Sequence, residues 1–294
     1  MVPPFKRPAP ELMCGQQAGR KACPHEGATR PISGRIRAAL GVFAATLLAL
    51  ACLAAPAAAF ERVGIVLLHG KTGAPSQFAA MAAMLEETGY GVERPEMCWS
   101  ERRIYDRALD GCFEDVDAAV ERLRADGFRR IVVGGHSLGG LVALAYGATH
   151  DDLAGIAALA PDGEPGDFNG HPKVAESVLR AVKLIQAGKG DEAASFTDRV
   201  LGRYFTVKAT PRAFLSFLGP GSYLRPTRLL PRLAAPLFWA AGSRDSSQRD
   251  AAALYARAPD NPASIFVKLD ASHLGTPGAA LFPLMDWLDR LAED

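Results

Sequence analysis

Ser137 stands between two glycines, in Gly135-His136-Ser137-Leu138-Gly139, and that spacing suits a nucleophile. A serine hydroxyl attacks a carbonyl only when a base takes its proton, an acid orients the base, and N–H groups await the oxyanion. A Gly-x-Ser-x-Gly pattern is common enough by chance that it needs those partners, and a strand-turn-helix setting, to carry meaning. The setting is present: the apolar run "RRIVVGG" precedes the serine, and "GLVALAYGATH", a helix of small residues, follows it. In such a sharp turn the residues two before and two after the serine come close to it, so glycine is needed at both.

Four histidines outside the leader and the turn could serve as the base: His69, His150, His171 and His273. His273 lies in "LDASHLGTPG", directly after the last expected strand. Loops at the carboxyl edge of a parallel sheet are where such groups gather, so His273 is the expected base. His150 ends the helix that leaves the serine and faces away, and His171 reads as a surface residue. The acid is Asp245, in "FWAAGSRDSS" after the penultimate strand, with Asp162 as the second choice. Asp245 also reads as the residue that opens the helix "SQRDAAAL". Two N–H groups are expected at the oxyanion: Leu138, which follows the nucleophile, and Lys71 in "LHGKTG", with Gly70 second. Only the backbone of Lys71 is invoked, and its side chain reads equally as a solvated charge. Met97 and Trp99, in "PEMCWSERRIYD", line a pocket or simply pack.

These groups need a scaffold, and the patterning supplies one. "VGIVLLHG", "YGVERPEM", "RRIVVGG", "LAGIAALAP", "APLFWAAG" and "ASIFVKLD" are short β-prone runs. Between most of them lie helical stretches, such as "PSQFAAMAAMLEETG" and "DGCFEDVDAAVERLRADG", that end on glycine. Strands apolar on both faces, alternating with helices, predict an α/β fold: a mostly parallel sheet with helices on both faces. Residues 162–233 break the rhythm and are expected to form a helical cap insertion on the rim.

Net charge divides the chain of 294 residues unevenly. Residues 1–59 hold seven Lys/Arg against two Asp/Glu, whereas the whole chain carries only +1. Arg30, Arg35 and Arg37 precede an apolar run over 38–60 that ends in Ala57-Ala58-Ala59. This predicts a leader and signal peptide over 1–59, cut after Ala59, and an exported protein, periplasmic or secreted. The alternative is a membrane anchor over 38–60, since about 20 apolar residues span a bilayer. After cleavage no stable membrane span is expected. The remaining body, 60–294, is mildly acidic, which argues against a nucleic-acid partner. It holds two cysteines, Cys98 and Cys112, which form a disulfide in an oxidising compartment or stay as two thiols.

Together "LLHGKTG", "GGHSLGG", "AAGSRD" and "ASHLGTP", in this order, resemble the α/β-hydrolase superfamily over about residues 61–294. The resemblance implies Ser137 as nucleophile, His273 as base and Asp245 as acid. It implies a small-molecule acyl substrate, esterase- or lipase-like chemistry, and no metal or organic cofactor. Two features depart from the pattern: no antiparallel hairpin precedes the first parallel strand, giving a reduced sheet, and "HGKTG" is not an "HGGG" loop. Acyltransferases, thioesterases, peptidases and noncatalytic binding proteins share such a scaffold, and fold does not choose among them.

Overall fold

The computed structural model describes residues 61–163 and 171–293; the apolar run 38–60 and its expected cleavage site lie outside them. Val63–Leu68 (β1) is followed by Ala79–Glu87 (α1), Gly91–Glu93 (β2), Leu109–Ala125 (α2), Arg130–His136 (β3), Leu138–Gly147 (α3) and Gly155–Leu159 (β4). Then come Pro172–Gln186 (α4), Ala194–Val200 (β5), Arg203–Ala209 (β6), Pro211–Leu218 (α5) and Pro226–Leu229 (α6). The chain continues through Leu237–Gly242 (β7), Ala251–Tyr255 (α7), Ile265–Leu269 (β8), Thr276–Ala279 (α8) and Leu281–Glu293 (α9).

Six strands form one sheet in the order β2-β1-β3-β4-β7-β8, and every neighbouring pair is parallel. Alternation along each strand explains the two helical layers. Val66, Leu68, Ile131, Val133, Ile156 and Trp239 point into a core shared with α2 and α3. Ile65, Leu67, Val132, Ala157, Leu159 and Phe238 point to the opposite face, against Leu85 of α1 and Leu284, Trp287 and Leu288 of α9. Burying each of the larger aliphatic side chains or Phe among them is worth about 1.5–3 kcal/mol, which is why both faces of the strands are apolar.

The strand order reverses between β1 and β3, because β2 lies on one side of β1 and β3 on the other. Connections leave the two strands in opposite directions there and open a crevice at their carboxyl ends. In register, Leu68 pairs with Gly135. The loop that begins at His69 and the turn that holds Ser137 are therefore neighbours.

The insertion between β4 and β7 contains the expected helices, α4 and α5. It also holds an element that the helical reading did not include. β5 and β6 pair antiparallel from Ala194↔Ala209 to Val200↔Arg203 as a two-residue hairpin. Its turn, Leu201-Gly202, has positive φ at both residues, 47° and 82°, the geometry that matches strand twist in tight hairpins.

Cys98 and Cys112 are joined, with Cα atoms 5.7 Å apart. Among the described residues no helix is long and apolar enough to cross a membrane.

Candidate active site

Ser137 caps the N-terminus of α3 with φ 56° and ψ −120°, a backbone region that non-glycine residues occupy only where the surroundings enforce it. The enforcement is visible at its neighbours. A β-carbon on Gly135 would lie 2.5 Å from the Gly139 carbonyl carbon and 2.6 Å from the Leu68 oxygen, and one on Gly139 would meet Leu68 more closely still. Here the two glycines are required by space: β1, β3 and α3 meet backbone to backbone beneath the serine.

His273 and Asp245 are brought together. His273 Nδ1 and Asp245 Oδ2 are 2.6 Å apart, on the loops that follow β8 and β7. The other Asp245 oxygen accepts from the Ser247 N–H at 3.0 Å and its hydroxyl at 2.7 Å. The two oxygens of Asp245 thus have different partners: one caps the turn at 246–248, ahead of the helix that begins at Ala251, and the other contacts the imidazole. Burial pushes the carboxyl pKa up, but the bonds from Ser247 and His273 outweigh it and leave the group below its ordinary value. It is therefore ionised near neutrality.

The hydroxyl of Ser137 has a different partner. Ser137 Oγ makes a long hydrogen bond, 3.3 Å, to Asp162 Oδ1. The second-choice acid therefore contacts the nucleophile candidate, whereas Asp245 contacts the base candidate. Asp162, Asp245 and His273 line a cavity of about 450 Å³ together with Arg199, Leu201 and Gly202 of the β5–β6 hairpin.

In the loop after β1, three of four successive N–H groups are spent. Gly70 N–H donates to Gln77 Oε1 at 2.8 Å, Thr72 to the Trp99 carbonyl at 3.0 Å, and Gly73 to the Gly70 carbonyl at 2.9 Å. Lys71 N–H has no acceptor among the described residues, nor does Leu138 N–H at the head of α3. This favours Lys71 over Gly70 as the second donor. A β-carbon on Gly70 would lie 3.5 Å from the Ser137 β-carbon, so the loop runs directly beside the serine. The Lys71 side chain is not a solvated charge: it is 11% exposed and ion-paired with Asp198 at 3.1 Å.

Met97 and Trp99 are fully buried and stand apart from the cavity beside His273. The packing reading applies to them, with a specific duty. Met97 N–H donates to His69 Nε2 at 3.1 Å, and Trp99 Nε1–H donates to the His69 carbonyl at 2.9 Å. Since a carbonyl only accepts, His69 Nδ1–H donates to the Gly70 oxygen at 2.9 Å, which fixes the tautomer. Burial lowers the pKa of His69. It is a structural strut of the loop and is unavailable as a base.

His136 and Gln77 were not identified from the sequence. His136 Nε2–H donates to the His273 carbonyl at 2.9 Å, so its Nδ1 is free to accept from Gln77 Nε2 at 2.7 Å. Burial, then the nearby His273, lower the pKa of His136 to about 4. Gln77 reaches Gly70 with its other atom, so one relay spans three loops. Nothing in the spacing signals it, because the partners are 59 and 137 residues apart. His150 stacks on Tyr146 at the far end of α3, centroids 3.8 Å apart, and His171 accepts from Arg199 at 2.8 Å.

A nucleophile candidate on a strained turn, a carboxylate-held imidazole and two free N–H groups now stand at the carboxyl edge of one parallel sheet. The chain belongs to the alpha/beta hydrolase family, whose model matches residues 65–293. The fold is similar to that of the monoacylglycerol lipase of Paleococcus ferrophilus, at 17% identity and TM-score 0.58, covering 79% of this chain and 95% of that one. It is similar also to Est1E from Butyrivibrio proteoclasticus, described with ferulic acid bound, at 15% identity and TM-score 0.57, covering 81% and 93%. The proline iminopeptidase of Mycobacterium smegmatis matches at 18% identity and TM-score 0.50, covering 78% and 90%. No curated protein sequence matches the chain.

Proposed function

We propose that the protein is an exported serine hydrolase that cleaves carboxylic esters through an acyl-enzyme. The observation that carries this reading is the 2.6 Å contact of His273 Nδ1 with Asp245, at the rim where Ser137 caps α3. Ser137 Oγ turns from Asp162 toward His273, loses its proton to Nε2 and attacks the ester carbonyl. Asp245 keeps Nδ1 protonated and stabilises the imidazolium that forms. The N–H groups of Lys71 and Leu138 receive the oxyanion, each worth about 10²–10³ in rate. Collapse expels the alcohol, which takes the proton from His273. Water, activated by the same imidazole, then releases the acid. No step draws on a metal or organic cofactor.

Ester substrates are favoured because a thermophilic esterase and a monoacylglycerol lipase are among the similar folds. Export rests on the leader pattern of 1–59 and is consistent with the Cys98–Cys112 bond, which persists in oxidising compartments.

A fluorophosphonate probe tests the nucleophile: it labels the protein and leaves Ser137→Ala unlabelled. Equal labelling of both, or of neither, refutes the assignment. An ester panel of graded acyl length, with competing alcohol and peptide acceptors, then separates hydrolysis from transfer and peptidase activity. N-terminal sequencing of the exported protein tests cleavage after Ala59.

A further inference from the structure

Asp198 sits in β5 and is 2% exposed, yet three donors converge on its carboxylate through four contacts. Oδ1 accepts from Lys71 Nζ at 3.2 Å and from the Arg199 N–H at 2.6 Å. Oδ2 lies 3.1 Å from Lys71 Nζ and accepts from the Tyr105 hydroxyl at 2.8 Å. Lys71 Nζ also reaches the Arg199 carbonyl at 3.3 Å. Three distant pieces of chain thus share one buried anion. They are the loop after β1, the disulfide-closed segment 98–112, and the hairpin whose turn lines the cavity beside His273.

Burying an ion pair yields little net stability, because desolvation offsets the attraction. Fixed geometry is what such a pair supplies. Lys71 is the residue whose N–H is the oxyanion donor proposed above, and its side chain anchors to the insertion, which forms one wall of the cavity. We propose that Asp198 is a positioning residue that sets the oxyanion loop and the hairpin together, so that a displacement of the hairpin is felt at the Lys71 N–H. Asp198 does not touch the reacting atoms; it acts through Lys71. The catalytic half of this inference rests on the hydrolase reading, whereas the mechanical half does not.

The experiment compares the full chain with Asp198→Asn, Lys71→Met and the double variant. Turnover is measured on p-nitrophenyl acetate, too short to depend on the hairpin, and on p-nitrophenyl octanoate. Amide hydrogen exchange is followed over 69–73 and 194–209. In Asp198→Asn, kcat for the acetate should fall about 10- to 100-fold, the scale of an ångström of misplacement, with KM within about twofold. The double variant should be no slower than the slower single one, and exchange should rise in both segments together.

An acetate kcat unchanged while only the octanoate KM rises would reduce Asp198 to a strut of the hairpin and overturn the proposal. Exchange rising in 194–209 alone would overturn it as well. If Asp198→Asn does not fold, Tyr105→Phe, which removes one donor to the carboxylate and keeps the ring, should show the same paired exchange at smaller amplitude, and its absence refutes the coupling. A natural-sequence protein inert toward both esters and the fluorophosphonate sinks the hydrolase reading, and the exchange data then decide the coupling alone.

Discussion

The His136 imidazole donates through Nε2 to the main-chain carbonyl of His273, 2.9 Å away. The residue before Ser137 therefore holds the loop that carries His273, the proposed base, and Gln77 holds His136 in turn through Nδ1. The arrangement needs a neutral ring, because a protonated Nδ1 could not accept from Gln77.

That requirement makes stability depend on pH. The unfolded chain takes up this proton near the ordinary 6.5, the folded chain only near 4. Between those values the unfolded state binds more protons, so stability present above about pH 6.5 is lost as pH falls toward 4. The loss from this group is about 3 kcal/mol at most. Urea midpoints measured from pH 7 to 4 should fall, and His136→Asn should flatten that part of the curve.

Two carboxylates flank the cavity, and their contacts assign them different weights. Asp245→Asn loses the anion that holds the His273 tautomer, so kcat should fall by about 10⁴. Asp162→Asn removes only a 3.3 Å contact to Ser137 Oγ, and the expected change is below about tenfold. Ester turnover of the two variants checks this, and the reverse ranking would make Asp162 the acid.

The Cys98–Cys112 bond closes the segment that carries Trp99 and Tyr105 and begins beside Met97; Met97 and Trp99 bond to His69 and Tyr105 to Asp198. Replacing both cysteines with alanine should cost about 3 kcal/mol by loop entropy. In a chain of this size that is about 6–12 °C in Tm. The same variant should also lose turnover at temperatures well below its melting point, since His69 loses its braces. Thermal melts and ester assays, with and without reductant, test both parts.

Most of the sheet was legible because apolar runs bounded by glycine, proline or charge can only be buried strands at that length. The Ser137 turn and the His273 and Asp245 loops follow from strand ends. The hairpin was missed even though "ASFTDRV" and "RYFTVKA" alternate around Leu201-Gly202. One reason is that Asp198 occupies an inward position next to Phe196, and an aspartate there reads as outward-facing. The side-chain pairings of Lys71, Gln77 and His136 were unreadable for a related reason. Their partners are 127, 59 and 137 residues away, and long-range polar pairing leaves no periodic trace.

The insertion between β4 and β7 joins two strands that are themselves neighbours in the sheet, so its interior could be exchanged for another sequence while the sheet stays whole. The ion pair restricts what can be grafted. A transplanted loop without an acid at the place of Asp198 would leave the buried Lys71 ammonium without its partner. Any redesign of selectivity in this enzyme scaffold must therefore bring its own anion.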